Sequence, residues 1–126
     1  MVARRSDLAI LGVLLSCASA QAPVRYRLEN QLAGCLEVEG EAASWRDDLA
    51  VLEVRYHLAK STAECGCKSA LSAYSSYAEV PDGERYLSGG AMTLSGQDSV
   101  SLPLTVDRDL LGDSTVRVSI GCEQPD

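Results

Sequence analysis

Two cysteines separated by one glycine, Cys65 and Cys67, form the sharpest chemical motif in this 126-residue chain. If the segment is a strand, residues two apart point to the same face, and the two sulfurs could converge on Cu(I) or Zn(II). The pair could also act as a redox dithiol. A zinc site would need two more ligands, for which His57, Cys35 and Cys122 are candidates. The competing interpretation, which we favour, is that both are half-cystines.

The N-terminus bears on this choice, because its order of residue types is typical of an export signal. Two arginines precede an apolar run over residues 8–15, and small residues follow as far as Ala20. The apolar run is much shorter than the about 20 residues that a membrane-spanning helix needs. We therefore predict a signal peptide over residues 1–20 and one mature domain over residues 21–126, in an oxidising periplasmic or secreted location.

A second interpretation of the same segment stays open. The sequence Leu-Leu-Ser-Cys ending at Cys17 resembles a bacterial lipobox, although Leu15 is bulkier than the usual residue there. In that case Cys17 would be acylated and would anchor the protein to the outer membrane as a lipoprotein.

The four cysteines that remain after either cleavage predict two disulfides: Cys35, Cys65, Cys67 and Cys122. A bond between Cys65 and Cys67 would close a very short, strained loop. We expect each of them to bond a distant partner, either Cys35 or Cys122, and the sequence does not choose between these pairings.

Charge limits the classes of partner. The formal net charge of −7 becomes −8 when two arginines and one aspartate leave with the signal. Such a surface would repel nucleic-acid phosphates and disfavours anionic membranes. It favours cationic partners.

Alternating apolar and polar residues dominate the mature chain and predict six or seven strands. The clearest runs lie near residues 24–28, 36–38, 50–58, 100–106 and 116–120. We predict an all-β fold, a single antiparallel β-sandwich of immunoglobulin-like size with two disulfides. Pro103 cannot donate to a ladder, so its strand should be an edge or carry a bulge.

Turn residues punctuate this pattern. Residues 81–83 (Pro-Asp-Gly) predict a turn, Gly89 and Gly90 predict a break, and residues 40–48 predict a polar connection. Residues 65–80 are expected to form a strand, with a helix over residues 68–77 as the alternative.

The other residues that could carry chemistry are expected to have structural or solvent-exposed roles. His57 is expected on the polar face of its strand, without a nucleophile-elbow serine to complete a triad. Three aspartates near Gly112 do not match a calcium loop and should cap a turn; they are Asp107, Asp109 and Asp113. The glutamates form a solvated acidic stripe, namely Glu37, Glu39 and Glu41.

Three segments resemble small uncharacterised secreted proteins of Gram-negative bacteria. They are E-C-G-C-K-S-A-L from Glu64, S-L-P-L from Ser101 and V-R-V-S-I-G-C ending at Cys122. The resemblance implies export and carries no active site.

These observations predict a non-enzymatic exported protein of the periplasm or envelope that binds another protein or supports an envelope assembly, and that uses no cofactor. One alternative is an inhibitor or immunity protein against a basic secreted enzyme. The other is a periplasmic metal or thiol-redox protein that uses Cys65 and Cys67.

Overall fold

The computed structural model describes residues 22–123 as seven strands in two sheets. The strands are β1 (Tyr26–Asn30), β2 (Leu36–Arg46), β3 (Leu49–Leu58), β4 (Ser72–Val80), β5 (Gly83–Met92), β6 (Gln97–Thr105) and β7 (Val116–Cys122). A 3-10 turn, Thr62–Cys65, lies between β3 and β4, and a single helical turn, α1 (Arg108–Leu111), lies between β6 and β7. The predicted signal peptide, including Cys17, lies outside the described residues.

The two sheets confirm the predicted β-sandwich. One sheet has four strands in the order β1-β7-β4-β5, and the other has three in the order β2-β3-β6. Hairpins join β2 to β3 and β4 to β5, and these pairs are antiparallel. β1 pairs with β7 in parallel. No helix within residues 22–123 is long and apolar enough to cross a membrane.

The core lies between the sheets and uses the inward positions of the alternating pattern. Aliphatic residues from both sheets fill it, together with two tyrosines from β3 and β4. The fully buried aliphatic residues are Leu36, Leu52, Val54, Leu102, Leu104, Val116, Val118 and Ile120. The core is thus built without phenylalanine, as the composition predicted.

The start of the described chain closes one side of the sandwich. The amide of Val24 donates to the carbonyl of Ala43 at 2.8 Å, and the amide of Trp45 donates to Ala22 at 3.0 Å. Residues 22–24 therefore lie along β2 before the chain crosses to the other sheet as β1.

Hydroxyl groups close the opposite side, where β5 approaches the edge strand β6. Tyr74 Oη donates to the Pro103 carbonyl at 2.7 Å, and Ser88 Oγ donates to Leu104 at 2.7 Å. Ser76 Oγ lies 3.2 Å from the same Leu104 carbonyl. These side chains satisfy carbonyls that no neighbouring strand of the three-stranded sheet reaches. The prediction that the Pro103 strand is an edge is confirmed.

Two local predictions were wrong, and a third was right only in part. The predicted connection over residues 40–48 is mostly strand, because a register shift between Gly40 and Ala42 lets β2 continue opposite β3. The predicted break at Gly89 and Gly90 lies inside β5. A Cβ on Gly89 would approach the Tyr74 carbonyl oxygen to 2.7 Å, so the glycine permits close strand pairing there. The strand expected over residues 65–80 begins only at Ser72, after the 3-10 turn that ends at Cys65, and the alternative helix over residues 68–77 does not form.

Candidate functional site

The four cysteines form the two predicted disulfides. Cys35 bonds Cys65, and Cys67 bonds Cys122, across sequence separations of 30 and 55 residues. The connection from β3 to β4 is thereby tied to the start of β2 and to the end of β7.

This pairing removes the chemistry that a free Cys65 and Cys67 pair would offer. Each sulfur is bonded to a distant partner, so neither is a thiolate available for a soft metal or for a dithiol couple. Within residues 22–123, no group of three metal-ligating side chains is arranged to hold an ion. In this structure Cys65 and Cys67 are both half-cystines, which is the interpretation that the sequence analysis favours.

Cys35 points inward although the alternation of β2 would place it outward, and the turn before β2 explains the difference. The residue lies in the turn before β2 and is buried, although alternation from Glu37 would place it outward. Asn30 organises this turn: its side chain accepts from the Leu32 amide at 2.9 Å and donates to the Leu36 carbonyl at 2.6 Å. The turn thus redirects Cys35 toward Cys65.

The predicted surface groups lie where alternation puts them. His57 is exposed, and its Nδ1 atom lies 3.2 Å from Glu37 Oε1 on the paired strand. Asp107 caps α1 by accepting from the Leu110 amide at 3.0 Å, as the turn-capping prediction expected.

A cluster of aromatic and charged residues covers the outer surface of the four-stranded sheet; we call it the Tyr–Arg face. At its centre lies Arg117, with its side chain only 18% exposed. Arg117 donates to Glu29 at 2.9 Å and to Glu84 at 2.8 Å. Its guanidinium lies 4.6 Å from the ring centre of Tyr77, which packs edge-on against Tyr86 at 5.7 Å.

This arrangement couples the charges on the Tyr–Arg face. The hydrogen bond with Arg117 lowers the pKa of Glu84, and the same contact raises the pKa of Arg117. Tyr86 is 58% exposed, so the face presents an aromatic ring to solvent beside an ordered arginine.

The outer surface of the three-stranded sheet differs, and we call it the acidic face. The side chains of Glu37 and Glu39 on this face are 71% and 70% exposed. Arg55 contacts Glu39 at 2.9 Å and Glu41 at 3.5 Å. The predicted acidic stripe is therefore a solvated strand face with partial pairing.

A third feature is a groove at one end of the sandwich, the Trp45 groove. It has a volume of about 440 Å³, and its walls are residues 23–25, Trp45 and residues 111–114. The guanidinium of Arg108 lies 4.2 Å from the Trp45 ring centre and donates to the Asp47 carbonyl at 2.7 Å. The stacked arginine fixes the indole at the rim.

The sequence predictions missed the Tyr–Arg face. Arg117 and Glu29 lie 88 positions apart and meet only because β1 pairs in parallel with β7. The one usable signal was Tyr77 and Tyr86 on either side of a predicted turn, which a hairpin brings together.

Comparison with known families gives a match over nearly the whole chain. The model of a family described as an uncharacterised protein conserved in bacteria (DUF2195) matches residues 10–125. The chain belongs to this family. No curated protein and no solved structure matches it. Membership and the two disulfides together indicate an exported bacterial protein in an oxidising environment.

Proposed function

We propose that this family member is a non-enzymatic protein-binding domain of the bacterial envelope. Two disulfides hold a small core that must persist outside the cytoplasm, and the signal-like N-terminus supports passage to the periplasm. Anchoring to the outer membrane through an acylated Cys17 is the second form of the same proposal.

The observation that carries this proposal is the Tyr–Arg face. Tyrosine and arginine, with tryptophan, are enriched among the energetic hot spots of protein interfaces. Here Arg117 is already held by Glu29, Glu84 and the Tyr77 ring, so little side-chain freedom remains to be lost on binding. Tyr86 stands exposed next to it as an anchor for a partner's pocket.

Export is tested by the intact mass of the natural product, measured with and without reductant. We expect a chain that begins at Gln21, or a diacylglyceryl Cys17, and that gains four hydrogens on reduction of two disulfides. A product that retains Met1 and four free thiols would contradict the proposal.

Binding is tested by capture from native envelope extract with matched variants. Tyr86→Ala removes the exposed ring, and Glu39→Gln alters the acidic face as a control. We expect a discrete partner that is recovered with the natural protein and with Glu39→Gln, and that falls about tenfold with Tyr86→Ala. Equal recovery with both variants, or no protein enriched over a charge-matched control, would refute the proposed surface.

The acidic face supports a second candidate function, inhibition of a basic secreted enzyme. Glu37 and Glu39 are directed to solvent and could meet a cationic rim without first breaking buried contacts. Excess protein should then inhibit a basic lysozyme, and Glu37→Gln with Glu39→Gln should relieve the inhibition. Full lysozyme activity in the presence of the natural protein would remove this candidate.

A further inference from the structure

The Trp45 groove has the dimensions and the fixed walls of a small-ligand site. Its volume of about 440 Å³ lies within the usual range for such pockets. Two buried aliphatic residues, Val24 and Leu111, line it, and Leu111 is only 2% exposed.

Hydrogen bonds on three sides hold the groove walls in place before any ligand arrives. Trp45 is fixed to Ala22 by its amide and lies beneath the Arg108 guanidinium. Arg25 donates from its side chain to the Asp113 carbonyl, and its own carbonyl accepts from the Val116 amide at 2.9 Å. Such preorganisation reduces the entropy lost on binding.

Three side chains lining the groove carry polar atoms that have no hydrogen-bond partner within residues 22–123. They are the indole N–H of Trp45, the carboxylate of Asp113 and the hydroxyl of Ser114. Together they offer one donor, one acceptor and one group that can do both. Arg25 adds further N–H donors at the same rim.

The chemistry of this set selects a ligand class. An anion would meet the Asp113 carboxylate, and a cation would meet the guanidinium of Arg25. A wholly apolar ligand would displace water from these polar groups without replacing its hydrogen bonds. A neutral ring with several hydroxyls satisfies the set, because its hydroxyls reach the polar rim while its C–H face packs on the indole.

We propose that the Trp45 groove binds a neutral saccharide, by hydrogen bonds to Asp113 and Ser114 and by packing against Trp45. The site lies at the end of the sandwich and uses no residue of the Tyr–Arg face. Saccharide binding therefore stands independently of the proposed protein-binding role.

The chain supplies its own reporter, because Trp45 is its only tryptophan. The oxidised mature protein is titrated with triacetylchitotriose while indole fluorescence is followed, and calorimetry of the same titration detects binding that leaves the indole unchanged. We expect a saturable signal with a Kd of about 1 mM or tighter. Absence of both a fluorescence change and binding heat would overturn the proposal.

Matched variants locate the binding. Asp113→Asn removes the charged acceptor at the rim and should weaken the affinity about tenfold. Tyr86→Ala should bind the saccharide unchanged, whatever the outcome of the capture experiment. Unchanged affinity in Asp113→Asn would overturn the proposal.

A competing ligand class is tested in parallel with triglycine, whose zwitterionic ends could meet Arg25 and Asp113. We expect no saturable response to triglycine. A response to triglycine that exceeds the response to triacetylchitotriose would assign the groove to peptides and overturn the saccharide proposal.

Discussion

The two outer surfaces of the sandwich use the same kinds of charged residues in different ways. On the Tyr–Arg face, Arg117 lies between two carboxylates and against the Tyr77 ring, with little exposure to water. On the acidic face, Arg55 and its glutamates remain largely exposed. Both arginines contact two glutamates, but of the two only Arg117 is described as packing against an aromatic ring, and Arg117 is also the less exposed.

The largest expected effect is the loss of stability when either of the two disulfides is removed. Cys67→Ser with Cys122→Ser frees the end of β7, and Cys35→Ser with Cys65→Ser frees the start of β2. In the chain-entropy model each loss costs about 4 kcal/mol, with the 55-residue separation costing about 0.5 kcal/mol more than the 30-residue one.

Urea unfolding of the oxidised natural protein and of each double variant measures these costs. Losses below about 1 kcal/mol for both pairs would contradict the view that the disulfides stabilise a thin core.

The next effect compares the two arginines directly. Arg117→Ala should lower the free energy of unfolding by about 2 kcal/mol, because three charged hydrogen bonds and a ring contact are lost. Arg55→Ala should give no resolvable change, because its partners are exposed. Equal losses in the two variants, measured by urea unfolding, would remove the distinction between the faces.

A smaller effect is expected from the hydrogen bonds that join β4 and β5 of one sheet to the edge strand β6 of the other. Tyr74→Phe removes the hydroxyl that donates to the Pro103 carbonyl but keeps the buried ring. We expect a loss of about 1 kcal/mol in thermal or urea unfolding, since the Ser88 hydroxyl lies 3.0 Å from the same carbonyl and can turn to it. A stabilised Tyr74→Phe would show that this closure contributes nothing.

The smallest effect concerns acid stability. Because Arg117 lowers the pKa of Glu84 below its usual 4.5, folding gains stability from the ionised form above that pH. This gain is lost as the pH falls from 4.5 through the lower folded-state pKa of Glu84. Glu84→Gln should therefore flatten the acid loss of stability. Identical acid profiles for the natural protein and Glu84→Gln would contradict the coupling.

Much of the fold follows from alternation in the sequence. The inward residues of β3, β6 and β7 are buried and those of β1 are half-buried, and the turn at residues 81–83 joins β4 to β5 as expected. The extension of β2 escaped prediction because a bulge near Gly40 changes the side-chain phase within one strand. The position of Gly89 inside β5 was not predicted, because glycine occurs both at breaks between strands and where two strands approach closely.

The candidate sites depend on contacts that local sequence cannot contain. The export signal and the even number of cysteines predicted two disulfides. Which of Cys35 and Cys122 bonds Cys65, and which bonds Cys67, was settled only by the fold. The surroundings of Arg117 combine β1, β5 and β7, and the Trp45 groove combines the lead-in to β1 with the loop after α1. Such combinations follow from strand order and register rather than from spacing along the chain.

The most direct test of the account compares the two faces in the living cell. A photoactivatable phenylalanine analogue is placed at Tyr86 in one strain and at Arg55 in another, and envelopes are irradiated. We predict a discrete cross-linked partner from position 86, lost when Arg117→Ala is added in a variant that still exports and folds, and no such product from position 55. A partner captured from position 55 and not from position 86 would contradict the assignment of binding to the Tyr–Arg face.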